Sequence, residues 1–243
     1  MKPHLTMPLL LASALVLPGC GGSSTDSVTA AENSTAIATV TDSVNPTSST
    51  DTNTPPVTNV ANTQTLTVAE TTTLLYVREE EKLARDVYLT LYNRWGQKVF
   101  QTIATTSEQT HMDAIKTQLD LYGLNDPVMS DIVGAFTDSS LGTLYTQLTQ
   151  QGSTSLTEGL KVGAFIEEYD IQDLQAAINE AQQGSQPATV IQTYTNLMCG
   201  SRNHLRAFVR QLEMNGVVYA AQLLSQANVN LIVDSANEQC DQP

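Results

Sequence analysis

Glu108 and His111 stand three residues apart. On a helix that spacing turns a carboxylate oxygen and an imidazole nitrogen toward the same side, where they can address one centre. Glu81 and Glu167 each interrupt an otherwise apolar helical stripe, and His204 does the same further along the chain. Asp and Glu are seldom buried without a partner, because an isolated buried charge is too costly. Carboxylates at core-facing positions together with two histidines therefore point to a metal centre. A carboxylate-rich, histidine-poor donor set suits a hard metal that cycles between oxidation states. Ligand type alone leaves iron, manganese, zinc and copper open.

Each residue also has a plainer reading. Glu81 closes the run Glu79-Glu80-Glu81, which by itself reads as a solvated helix face, and Glu167 is separated from Glu168 by a single position. The apolar stripe favours Glu167. Asp170 lies three residues beyond Glu167 on the same face, and it or Glu168 is a candidate to complete the site. His204 alone reads as a hydrogen-bonded core histidine, and Arg202 or Arg206 are candidates to neutralise the acids in place of a metal. Tyr88 reads first as a core residue with a satisfied hydroxyl, and second as a hydrogen-bond donor to a ligand.

Four long helices are needed to bring these side chains together. Thr67-Val-Ala-Glu70 has capping-box form and opens a first helix of about 28 residues, whose stripe Leu74, Val77, Glu81, Ala84, Tyr88 and Leu91 runs to Gly96. A second spans Lys98 to Tyr122, with Ala104, Glu108, His111 and Ile115 in register, and stops at Gly123. Ser155-Leu-Thr-Glu158 caps a third helix, carrying Leu160, Ala164, Glu167, Ile171, Leu174 and Ile178. Pro187 suits the first turn of a fourth, which carries Ile191, Tyr194, Leu197, Ser201, His204 and Phe208 to Gly216. Residues 124 to 154, with Pro127 and three glycines, read as two short helices within a long crossover between the second and third helices. No segment has a strand period, so the fold class is all-α.

The run Glu81-Lys-Leu-Ala84-Arg-Asp-Val-Tyr88 resembles the first helix of ferritins and rubrerythrins, and Glu108-Gln-Thr-His111 resembles their Glu-x-x-His motif. More narrowly, Arg78 to Tyr88, Ser107 to Met112, Val162 to Leu174 and Gly200 to Phe208 resemble a ferritin-like family known as domain of unknown function 2202. The resemblance covers about Val68 to Gln226. It implies a ferritin-like four-helix bundle in which Glu81, Glu108, His111, Glu167 and His204 are ligands of a di-iron carboxylate site. It implies no established activity. Ser201-Arg-Asn-His204 departs from the expected Glu-x-x-His, so one bridging carboxylate is missing.

The first 19 residues read as a signal peptide, with Lys2, an apolar run from Leu9 to Leu17, and Leu17-Pro18-Gly19-Cys20. That tetrapeptide resembles the lipobox of bacterial lipoproteins, with Cys20 as the acylated first residue. An ordinary secretory signal cut elsewhere is the alternative, and both place the protein outside the cytoplasm. Gly21 following Cys20 leans toward the outer membrane. Residues 20 to 67 contain no aromatic residue, Lys or Arg, are rich in Ser and Thr, and read as a disordered tether. A flexible chain of that length spans about 35 to 40 Å. Residues 68 to 226 then form the domain and 227 to 243 a C-terminal tail.

Cys199 and Cys240 are an even pair in an oxidising compartment, read either as a disulfide or as a buried Cys199 with an idle Cys240. The chain carries 11 Lys and Arg against 25 Asp and Glu, a net charge of −14, which argues against nucleic-acid binding. The expected partners are a membrane, through the lipid anchor, a metal ion, and a second copy as a homodimer. Three functions fit: a di-iron oxidoreductase acting on oxygen or peroxide, a metal-binding or sensing lipoprotein without turnover, and a helical interaction module whose site has become a polar network.

Overall fold

A computed structural model describes residues 65–184 and 188–240. The expected signal peptide, Cys20 and nearly all of the expected tether, like Pro187, lie outside the described residues. Within them every regular element is helical. None of these helices is long and apolar enough to cross a membrane.

Helix α1 (Val68–Trp95) begins at a reciprocal capping box. The Glu70 N–H donates to Thr67 Oγ1 (3.2 Å) and the Thr67 N–H to Glu70 Oε2 (2.6 Å), satisfying two donors that the first turn leaves without helical partners. It ends where Gly96 takes φ +66°, a conformation costly for residues with a Cβ. The second helical run has three parts: α2 (Lys98–Thr102), a π-helical turn (Ile103–Glu108) and α3 (Gln109–Leu121). Backbone angles stay right-handed helical at Thr102 and Gln109, so the run is continuous.

The crossover differs from the two short helices that its composition suggests. Residues 124–138 are irregular, and one helix follows, α4 (Ser139–Gly152), capped by Asp138 Oδ1 accepting from the Ser140 N–H (2.7 Å). Helix α5 (Leu156–Gln183) starts at Ser155, whose Oγ accepts from the Glu158 N–H (3.1 Å). Helix α6 (Ala188–Met214) follows, and α7 (Gln226–Val233) forms within the region beyond 226 that reads as tail. A disulfide joins Cys199 to Cys240, with Cα atoms 5.7 Å apart.

The long runs pack side by side: α5 against α6, α1 against α3 and α5, and α3 against α6, with α4 laid across α1 and α5. Their apolar stripes make two clusters. One gathers Leu83, Val87, Tyr88, Leu91, Phe100, Leu160 and Phe208, the other Leu74, Val77, Ile115, Leu119, Leu174, Ile178, Tyr194 and Leu197. Each buried Leu, Ile or Val contributes about 1.5–3 kcal/mol. Between the clusters, at one level on all four runs, the stripes turn polar, and that seam holds the candidate site.

Candidate metal centre

The structure brings Glu81, Glu108, His111, Glu167 and His204 together, one or two from each long run. They make two groups of three donors, Glu81 with Glu108 and His111, and Glu108 with Glu167 and His204. Ligating atoms within each group lie within 4.8 Å of one another. Glu108 belongs to both. Its Oε2 is 3.1 Å from His111 Nδ1 and its Oε1 is 3.1 Å from His204 Nδ1, so the two oxygens of one carboxylate face two different imidazoles. Glu81 Oε2 lies 3.0 Å from His111 Nδ1, and Glu167 Oε2 lies 3.4 Å from His204 Nδ1. The imidazole rings stack at 5.6 Å between centroids.

The local sequence accounts for this placement. Glu108 is the last residue of the π-helical turn, which takes up one residue more than an α-turn and sets the phase of Glu108 and His111 against α1 and α6. Tyr88, two turns beyond Glu81, donates its hydroxyl to Glu167 Oε1 (2.5 Å), with the Gly163 carbonyl oxygen 3.3 Å away. Tyr88 is thus a wholly buried core residue with its hydroxyl satisfied, as its first reading has it, and the acceptor is the candidate ligand Glu167. Asp170 is buried, and its Oδ2 has no hydrogen-bond partner.

Glu168 is buried as well, but it faces away from the seam. Its carboxylate accepts from the Tyr219 hydroxyl (2.7 Å) and from the backbone N–H groups of Gln222, Leu223 and Leu224 (3.0, 2.7 and 2.7 Å). Glu168 is thus a clamp on the segment after α6, which rules it out as the completing carboxylate. Ser201 donates to the Leu197 carbonyl of its own helix (3.1 Å).

Burial and mutual charge shift the acids and imidazoles together. Burial drives Glu81 up to about 7 despite the opposing pull of His111. It also raises Glu167, and carries Asp170 well above the carboxylate range with the fields of Glu81 and Glu80 adding to it. Burial acts on Glu108 the same way, but the charge on His204 and the charge and hydrogen bond of His111 outweigh it and hold Glu108 low. For the histidines burial lowers the pKa and the carboxylates win: Glu81 and Glu108 push His111 well above 6.5, and Glu167 and Glu108 push His204 up to about 9.

Two tests separate a metal site from a self-contained polar network. A network should satisfy its own members. Here Glu108 Oε1, Glu167 Oε2, Asp170 Oδ2 and His204 Nδ1 are buried without an aligned hydrogen bond, although Glu108 Oε1 and His204 Nδ1 lie only 3.1 Å apart. Neither arginine that could neutralise the acids enters the seam: Arg202 pairs with Glu238, and Arg206 donates to Glu238 (2.7 Å), Ser235 (2.7 Å) and the Ile232 carbonyl (2.7 Å), which leaves the two imidazoles as the cations facing these carboxylates. Three carboxylates and two imidazoles with partnerless oxygens are a donor set that fits a pair of metal ions.

The other buried charges were not expected from sequence. Glu79, Glu80, Lys82, Arg85 and Asp86 are all buried alongside Glu81. Lys82 pairs with Asp86 and donates to the Ile132 carbonyl (3.0 Å), and Asp86 also accepts from Arg85 (2.9 Å) and the Gly134 N–H (2.9 Å). Glu79 accepts from the Thr137 and Asp138 N–H groups (2.6 and 2.8 Å), and Arg78 pairs with Asp126 (2.9 Å). This side of α1 fastens the crossover. The only sequence signal for it is the density of charge from Arg78 to Asp86.

Comparison with known proteins gives a consistent relation. The family described as "Uncharacterized protein domain (DUF2202)" matches residues 70–236. The uncharacterized protein MJ0754 of Methanocaldococcus jannaschii is 47% identical over 169 residues, covering 70% of this chain and 89% of that protein. The crystal structure of hypothetical protein MJ0754 matches with a TM-score of 0.69 at 46% identity, over 72% of this chain and 97% of that one.

Proposed function

Because this chain belongs to the DUF2202 family, we propose that its domain is a ferritin-like four-helix bundle that binds two metal ions, iron first, for redox chemistry on oxygen or a peroxide. The observation that carries the reading is Glu108, whose two carboxylate oxygens each face a separate histidine and acid. Glu81, His111 and Glu108 Oε2 would hold one ion, and Glu167, His204 and Glu108 Oε1 the other. Bound there, the ions would supply the electrons for reducing oxygen or peroxide.

The chain's own residues bind, orient and exclude. The apolar clusters on either side keep water from the seam, which strengthens every charge interaction inside it. Tyr88 fixes the rotamer of Glu167 through its hydroxyl. Burial and the acidic neighbours Glu81 and Glu80 push the Asp170 carboxyl well above the carboxylate range, and its Oδ2 is left without a hydrogen-bond partner. A second reading, metal binding or sensing without turnover, is favoured by Ser201, which leaves α6 contributing no carboxylate to the seam. The protein would work in the cell envelope, anchored through a lipidated Cys20 and held off the membrane by residues 21–67, as a monomer or a homodimer.

Elemental analysis of the purified protein, beside a Glu108→Ala/His111→Ala double variant, tests the reading. Two irons per chain, lost in the variant, support the redox centre. One metal of any kind favours binding or sensing, and no metal after metal-replete refolding leaves an interaction module. Mass analysis of the membrane-extracted protein and of a Cys20→Ala variant tests the anchor: an unmodified Cys20 rejects it.

A further inference from the structure

Gly200 lies in the middle of α6, one turn before His204, where glycine costs about 1 kcal/mol relative to alanine. The structure shows what occupies the space that a side chain would need. A Cβ built on Gly200 would sit 2.5 Å from Nε2 and 2.7 Å from Cε1 of His111, distances that real Cβ atoms essentially never show. The same Cβ would meet His204 Cε1 at 3.8 Å, an ordinary contact. The two imidazoles thus relate to this position unequally: one is seated in the notch, the other only borders it.

His111 has little freedom to retreat. Its Nδ1 faces Glu81 and Glu108, and its ring is backed by that of His204. We infer that Gly200 is a positioning residue for one half of the centre: its missing side chain lets the His111 ring lie across α6 with Nδ1 turned toward Glu81 and Glu108, while the His204 half forms without it. This inference rests on the two-metal reading above and adds that the two ions depend on different features of α6.

The variant to make is Gly200→Ala in the full chain, loaded with iron or with cobalt as a spectroscopic stand-in. The expected result is a fall from two metals to one per chain, or a weakening of one binding step by about 10- to 100-fold, the usual cost of disturbing a group that orients a ligand. The remaining metal should be lost on further substitution of His204 but not of His111. Gly142→Ala, in the first turn of α4 where a Cβ meets only Phe136 at 3.9 Å, is the unobstructed helical control and should keep both metals.

A merely structural role would act on stability without selecting one ion. The stability of the metal-free protein is therefore also measured in a His111→Ala background. There Gly200→Ala should turn from destabilising to neutral or stabilising, as alanine's helix preference predicts once the ring is gone. Two metals bound to Gly200→Ala with unchanged affinities overturn this inference and leave the two-metal centre standing. Loss of both metals together overturns the claimed selectivity. No metal on the unaltered protein overturns the centre, and the inference with it.

Discussion

Helix α1 has two buried polar sides within three turns, and they are built on opposite rules. On the side facing the crossover, Glu79, Lys82, Arg85 and Asp86 are all paired with opposite charges or backbone donors of residues 131–138. On the side facing α3, α5 and α6, Glu81 joins a group whose oxygens outnumber the donors offered to them. The first side closes on itself and holds a loop. The second needs something the chain does not supply, whether protons or metal ions. Burial of charge alone would not have separated them; the presence or absence of partners does.

The sharpest way to break this comparison is to remove one acid from each side. Asp86→Ala strands the wholly buried Lys82 and should cost about 3–5 kcal/mol, visible as a large fall in melting temperature. Glu167→Gln should leave the metal-free protein within about 1 kcal/mol of the original, because it removes a carboxyl that lacks full satisfaction, yet should abolish one metal. Equal losses of stability would show both sides to be structural. Next in size, reducing the Cys199–Cys240 disulfide, which closes a loop of 41 residues, should cost about 2–4 kcal/mol and leave the metal content unchanged.

A pH series sharpens the comparison further. His204 is raised from 6.5 to about 9 and Glu81 from 4.5 to about 7, so the folded, metal-free protein binds protons more tightly than the unfolded chain. Their stabilisation is complete below the unfolded values and is lost as pH rises through about 7 for Glu81 and about 9 for His204. The metal-free protein should therefore lose melting temperature from pH 6 to 9. Metal affinity should rise over the same range, because each ion must displace imidazole protons. A metal-free melting temperature that climbs with pH would mean that the imidazoles are neutral. The smallest effect is expected of Tyr88→Phe, which removes the donor to Glu167: about 1 kcal/mol in stability, with both metals retained but one bound more weakly.

Much of the seam was legible because it breaks a pattern. Glu81, Glu108 and Glu167 each sit where a stripe of Leu, Val and Ala predicts another apolar residue, and Glu108 with His111 share a helix face at any register. The capping box at Thr67 and the N-cap at Ser155, where only the Ser155 half of the expected box forms, set two helix starts for similarly local reasons. What could not be read depends on distant chain. The direction of Glu168 is set by N–H groups more than 50 residues later, and the burial of Lys82 and Asp86 by a crossover whose composition suggests two helices where one forms. Gly200 reads as an unremarked small residue until His111 is placed against it.

The π-helical turn has a consequence for how this sequence can change. Phe100 ahead of it and Ala104 at its start serve one apolar cluster, while Ile115 and Leu119 behind it serve the other, with Glu108 and His111 at the join. An α-helix advances about 100° per residue, so the extra residue in the turn acts as a phase offset between the two halves. Loss of a single codon there would straighten the helix and swing everything behind it by about that angle. Either the upstream or the downstream contacts could then be kept, but not both, and the centre stands or falls on one insertion that no count of ligands reveals.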